Sequence, residues 1–94
     1  MQKKEFIDSL NTAVFTTKYV LDNNCPILYV YHYKEDGAWE FLGIEDISED
    51  DYCVVSLEEI INLDPTVLAV TSMRMGYYAE RESKNSVWNI NKIQ

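Results

Sequence analysis

Apolar residues fall along the chain in short bursts, and the spacing inside each burst predicts its element. In residues 3–10, Phe6, Ile7 and Leu10 share a helical face, while Lys3, Lys4, Glu5 and Asp8 fall mostly elsewhere. That spacing predicts a helix. Ala13–Thr16 is short, β-branched and aromatic, and reads as a strand. Thr17 can then cap a short helix whose apolar side is Tyr19, Val20 and Leu21, and Asp22-Asn23-Asn24 ends it. Pro26 opens the strongest strand, Ile27–Tyr33. Its faces are Ile27/Tyr29/Tyr31/Tyr33 and Leu28/Val30/His32, both largely apolar, which predicts a central strand whose tyrosine face is at most half covered.

A polar turn, Lys34-Glu35-Asp36-Gly37, leads into a returning strand, Ala38–Leu42, with Trp39 and Phe41 on one face. Trp39 and Phe41 therefore read as core. The connection 43–51 is acidic, and Tyr52–Val55 is a short apolar strand. Ser56-Leu57-Glu58-Glu59 has the pattern of a capping box, with the serine oxygen accepting from the Glu59 N–H and the Glu59 carboxylate reaching back. The helix that follows buries Leu57, Ile60 and Ile61. Asp64-Pro65 restarts a helix, with aspartate as N-cap and proline where no N–H is needed, and Val67, Leu68 and Val70 face inward. Met73–Arg81 and Ser86–Ile90 predict two more strands joined by the turn 82–85. Hairpins mixed with helices predict an α+β fold: a small mixed, mainly antiparallel sheet with two to four short helices, in a single domain over residues 1–94.

Composition narrows the function. The formal net charge is -8, so nucleic-acid phosphates and anionic lipid are repelled and basic partners attracted. No nucleic acid and no membrane is the expectation. No apolar run approaches the roughly 18 residues that a membrane span needs, and no signal-like apolar stretch follows the first lysines. Cys25 and Cys53 lie far apart outside any C-x-x-C pair, which favours reduced thiols in a reducing, cytoplasmic compartment.

Candidate chemistry is sparse. His32 is the only histidine and sits inside a predicted strand, with no nucleophile elbow in the sequence. It reads as a rim histidine bonded to a neighbour. The acidic run lacks the spacing of a calcium loop, and with three glycines neither a P-loop nor a dinucleotide fingerprint can be written. No enzyme and no cofactor is expected. A binding module remains.

The order of motifs resembles a family of bacterial immunity-protein-like domains, immunity protein thirty-three-like, formerly a domain of unknown function. The resemblance covers about Val14 to Trp88 and is carried by the order of several short motifs. Phe15-Thr16-Thr17-Lys18-Tyr19-Val20-Leu21 opens it, Asp36-Gly37-Ala38-Trp39-Glu40-Phe41 fits the hairpin, and Gly43-Ile44-Glu45-Asp46 fits its glycine and acidic pair. Asp64-Pro65 and Gly76-Tyr77-Tyr78-Ala79-Glu80-Arg81 complete the series. The departures are Ala38 between Gly37 and Trp39, Ile44 before Glu45-Asp46, a Phe41-to-glycine span one residue short, and Met73-Arg74-Met75 where a proline is expected. The resemblance implies a cytoplasmic protein that neutralises a co-encoded toxin by occluding it.

Taken with the charge, this makes the expected partner a protein, a basic toxin domain. The residues expected to meet it are Glu45, Asp46, Glu49, Asp50 and Asp51 in the acidic connection and Tyr29, Tyr31 and Tyr33 on the long strand. Arg81 has two readings, an internal pair with Glu45 or Asp46, or a surface contact. The alternative function is a small regulatory or ligand-binding domain with a pocket beside Trp39 and Tyr31.

Overall fold

The computed structural model describes residues 8–22, 25–44 and 46–94. The elements run β1 (Ala13–Thr17), α1 (Lys18–Asp22), β2 (Tyr29–His32), β3 (Trp39–Leu42), a 3₁₀ turn (Glu49–Asp51), β4 (Tyr52–Ser56), α2 (Leu57–Leu63), a 3₁₀ helix (Pro65–Val70), β5 (Tyr77–Glu80) and β6 (Asn89–Lys92). The six strands form one sheet in the order β4-β1-β3-β2-β5-β6. β1 runs parallel to β3, and every other neighbouring pair is antiparallel. This is the α+β architecture with a mixed, mainly antiparallel sheet that the strand and hairpin signals predict.

The helices lie on one face of the sheet. Val14, Val30, Trp39, Phe41 and Ala79 point from the strands into a core closed by Val20 of α1, Leu57 and Ile60 of α2, and Val67 and Val70 of the 3₁₀ helix. Local signals place these helices. The Thr17 hydroxyl accepts from the Val20 N–H at 3.4 Å. Ser56 Oγ accepts from the Glu59 N–H at 3.2 Å, so the forward half of the expected box is formed. The Asp64 N–H closes α2 on the Ile60 carbonyl at 2.9 Å, while its carboxylate caps the next helix at Thr66 N, 3.1 Å away.

Among the described residues Arg81 neither pairs with Asp46 nor reaches the surface, and Glu45, the other expected partner, lies outside them. Arg81 is buried and paired with Asp64 at 3.0 Å. Its guanidinium also donates to the Ile27 carbonyl, the Thr66 hydroxyl and the Lys84 carbonyl, and the Trp88 ring covers it at 4.1 Å. Burial lowers its pKa and Asp64 raises it again. Both carboxylate oxygens of Asp64 and four of the five guanidinium N–H groups thus have partners, as a buried ion pair needs.

Several expected boundaries move. The helix over residues 3–10 lies mostly outside the described residues, and residues 8–10 form a bend running into a turn. The Ile27–Tyr33 strand shortens to Tyr29–His32, although its ladder continues through Leu28 N to the Leu42 carbonyl at 2.8 Å. The strand expected from Met73 starts at Tyr77, because Gly76 takes φ +91°, which breaks the extended run. A Cβ there would meet only the Lys34 Cβ, at an ordinary contact distance of 3.7 Å, so the need for glycine is conformational rather than a matter of packing. The final strand starts at Asn89, after Trp88 has turned to cover Arg81.

Two stability effects follow. Trp39 is 2% exposed, and Trp39→Ala is expected to lower the unfolding free energy by about 3–5 kcal/mol. A urea midpoint close to wild type would contradict that burial. Asp64→Ala and Arg81→Met, each stranding a buried partner, are expected to cost about 3–5 kcal/mol singly. The double variant is expected to lose less than the sum, and additive losses would show the pair to be uncoupled.

Candidate protein-binding face

Alternation along each strand sends every second side chain to the face opposite the helices. The register fixes which residues meet there. One row across the sheet reads Val54, Phe15, Glu40, Tyr31, Tyr78 and Asn91. The next row includes Leu42, Tyr29, Glu80 and Asn89. Among the described residues no helix covers this face. Val54 is 62% exposed, Tyr52 43% and Phe15 40%, and the tyrosines of β2 and β5 are half-buried.

The tyrosines are organised. Tyr31 stacks against Tyr33 at 5.7 Å between ring centres and against Tyr78 at 5.2 Å, with interplanar angles of 8° and 17°. The Tyr33 hydroxyl donates to Glu40. Burial first, then that hydrogen bond, pushes the Tyr33 hydroxyl well above its ordinary range, so it remains a donor. Burial, then the Glu40 charge and a hydrogen bond to Glu40, raise Tyr52 in the same way. Glu40 therefore sits among aromatic rings, accepting from the Tyr33 hydroxyl and raising Tyr52 with its charge. The charged strand positions on this face are Glu40 and Glu80, both carboxylates.

Of the residues expected to meet a partner, Tyr29, Tyr31 and Tyr33 share this face. Glu45 lies outside the described residues. Asp46, Glu49 and Asp50 are exposed. Asp51 is different: it is 5% exposed and ties the connection together. Its carboxylate accepts from the Ser48 N–H at 2.9 Å, the Ser48 hydroxyl at 3.2 Å and the Tyr19 hydroxyl at 3.3 Å, and pairs with Lys18 at 3.2 Å. These bonds occupy the Asp51 carboxylate within the connection itself. Glu40, with Phe15, Tyr78 and Glu80, joins the face without having been expected there. The signal for Glu40 was an acid alternating between Trp39 and Phe41 in a hairpin whose turn places it opposite Tyr31.

The rim role expected of His32 is what the ring occupies. It stacks on Trp39 at 3.7 Å, and its Nδ1 lies 2.9 Å from the Met73 carbonyl, which can only accept, so Nδ1 carries the proton. A cavity of about 660 Å³ opens beside these rings, with Asp8, Thr71, Arg74 and Met75 also lining it. Trp39 and Tyr31 lie on opposite faces of the sheet, so among the described residues no single pocket lies beside both. Among the described residues no group of metal-ligating side chains comes together, and no helix is long and apolar enough to cross a membrane. Cys25 and Cys53 are free thiols. The chain matches no family model, and no curated protein or solved structure matches it.

Asp51 gives a pH test. Its hydrogen bond to the Ser48 backbone, followed by those of the Lys18 and Ser48 side chains, lowers its pKa below the ordinary 3.8 against opposing burial. A carboxyl lowered on folding contributes stability above its unfolded value, and that contribution drains away as pH falls through the folded value. Asp51→Asn is therefore expected to be destabilised at neutral pH and to show a shallower fall in stability below about pH 4. Parallel acid limbs for variant and wild type would remove Asp51 from this role.

Proposed function

We infer that this chain is a protein-binding module of the immunity-protein kind, which neutralises a cognate bacterial toxin by covering it. The observation that carries the reading is the uncovered sheet face. It is aromatic, half-exposed and stacked, and its strand positions carry only negative charge. Tyrosine supplies large contact area at small entropic cost, which suits a protein interface. The net charge of -8 and the exposed Asp46, Glu49 and Asp50 add a long-range field that favours a basic partner. A cytoplasmic location is in keeping with the free thiols. The motif order that resembles immunity proteins supports the same reading.

The test is capture of the partner from the native host, followed by expression of the captured protein in cells with and without this chain. Growth arrest relieved by this chain is the expected result, and a captured protein that is harmless on its own would overturn the reading. With the partner in hand, Glu49→Gln with Asp50→Asn is expected to slow association several-fold at low salt. The difference should shrink as the screening length falls to about 8 Å. Equal association rates at low salt would leave these carboxylates outside the encounter.

A further inference from the structure

The open face has a centre. Glu40 lies directly between Phe15 of β1 and Tyr31 of β2, in the row that crosses the sheet. Its carboxylate has about four acceptor sites, of which the Tyr33 hydroxyl takes one. Among the described residues it has no basic partner. The ion pairs there are Lys18 with Asp51 and Arg81 with Asp64. A half-buried carboxylate with free acceptor sites and flat rings on either side is complementary to one side chain in particular. A guanidinium donates two parallel N–H bonds to a carboxylate while its plane lies flat on an aromatic ring, whereas an ammonium meets the carboxylate as a point charge and has no plane to stack.

We propose that Glu40, flanked by Tyr31 and Phe15, is the anchor for an arginine side chain of a basic protein partner. The site is built in advance: Tyr31 is held by offset stacking with Tyr33 and Tyr78, and the Tyr33 hydroxyl donates to the carboxylate. Stacked rings also serve proteins that bind single-stranded nucleic acid, but such platforms are ringed by lysine and arginine. Here the charged strand positions are Glu40 and Glu80, which repel a phosphate backbone. Charge complementarity therefore selects the arginine-bearing protein.

The inference rests on the protein-binding reading, and its test is independent of any toxin. The isotopically labelled full chain is titrated at low ionic strength with a capped oligoarginine peptide, an oligolysine peptide of equal length, and oligouridylate. Oligoarginine is expected to shift the amide resonances around Phe15, Tyr31, Glu40 and Tyr78, and to bind several-fold more tightly than oligolysine. Glu40→Gln, checked for an unchanged urea midpoint, is expected to weaken oligoarginine by about tenfold, as loss of a partly desolvated charge pair does. Tyr31→Leu keeps the charge and is expected to erase the preference for arginine over lysine. Shifts confined to residues 46–51, undiminished binding by Glu40→Gln, or tighter binding of oligouridylate would each overturn the anchor. Oligoarginine binding at Glu40 without any relief of toxicity would instead remove the immunity reading and leave the anchor standing.

Discussion

The ion pair between Arg81 and Asp64 is the constraint on which the layout of the domain depends. Asp64 ends α2 with its N–H, starts the 3₁₀ helix with one carboxylate oxygen and holds Arg81 with the other. Arg81 in turn fixes the end of β5 against the entry to β2 through the Ile27 carbonyl, and against the following turn through Lys84. Two helices, two strands and a turn thus converge on one buried pair. A buried pair of this kind is a poor source of net stability compared with apolar packing, but it tolerates few alternative geometries. Its effect here is to hold the helical layer against one face of the sheet.

Among the described residues, that one-sidedness leaves the other face without a helix over it. Its aromatic rows are ordered by stacking among themselves and by the Tyr33 hydroxyl on Glu40. The acidic connection beside it divides in the same manner. Asp51 is consumed in holding Lys18, Tyr19 and Ser48, while Asp46, Glu49 and Asp50 remain open to solvent. Like residues in one acidic run therefore have different work, set by which carboxylate finds donors.

Much of this was legible in the sequence wherever the determinant was local. The caps at Thr17, Ser56 and Asp64 needed only a few residues of context, and the alternation Tyr29–Tyr31–Tyr33 revealed a tyrosine face. What was hidden was non-local. Arg81 and Asp64 are partners across a helix, a turn and a strand, and no spacing rule links them. Strand ends at Tyr77 and Asn89 depend on the left-handed Gly76 and on the use of Trp88 as a cover for Arg81. Glu40 was concealed because acids were sought in the charged run, where they cluster, and not as a single alternating residue inside a strand.

The order of the strands bears on how the chain assembles. β1 is the first strand in the sequence, yet it lies between β3 and β4. Both of its hydrogen-bonding edges must stay unsatisfied until residues 39–56 are present. β2 and β3, by contrast, are a hairpin joined by the short turn at Gly37, which closes cheaply and early. A nascent chain would thus carry an uncapped middle strand ahead of a hairpin that is ready to receive it. The slow event in folding would be insertion of β1 between partners that arrive later, a step set by loop closure and not by the strength of any one contact.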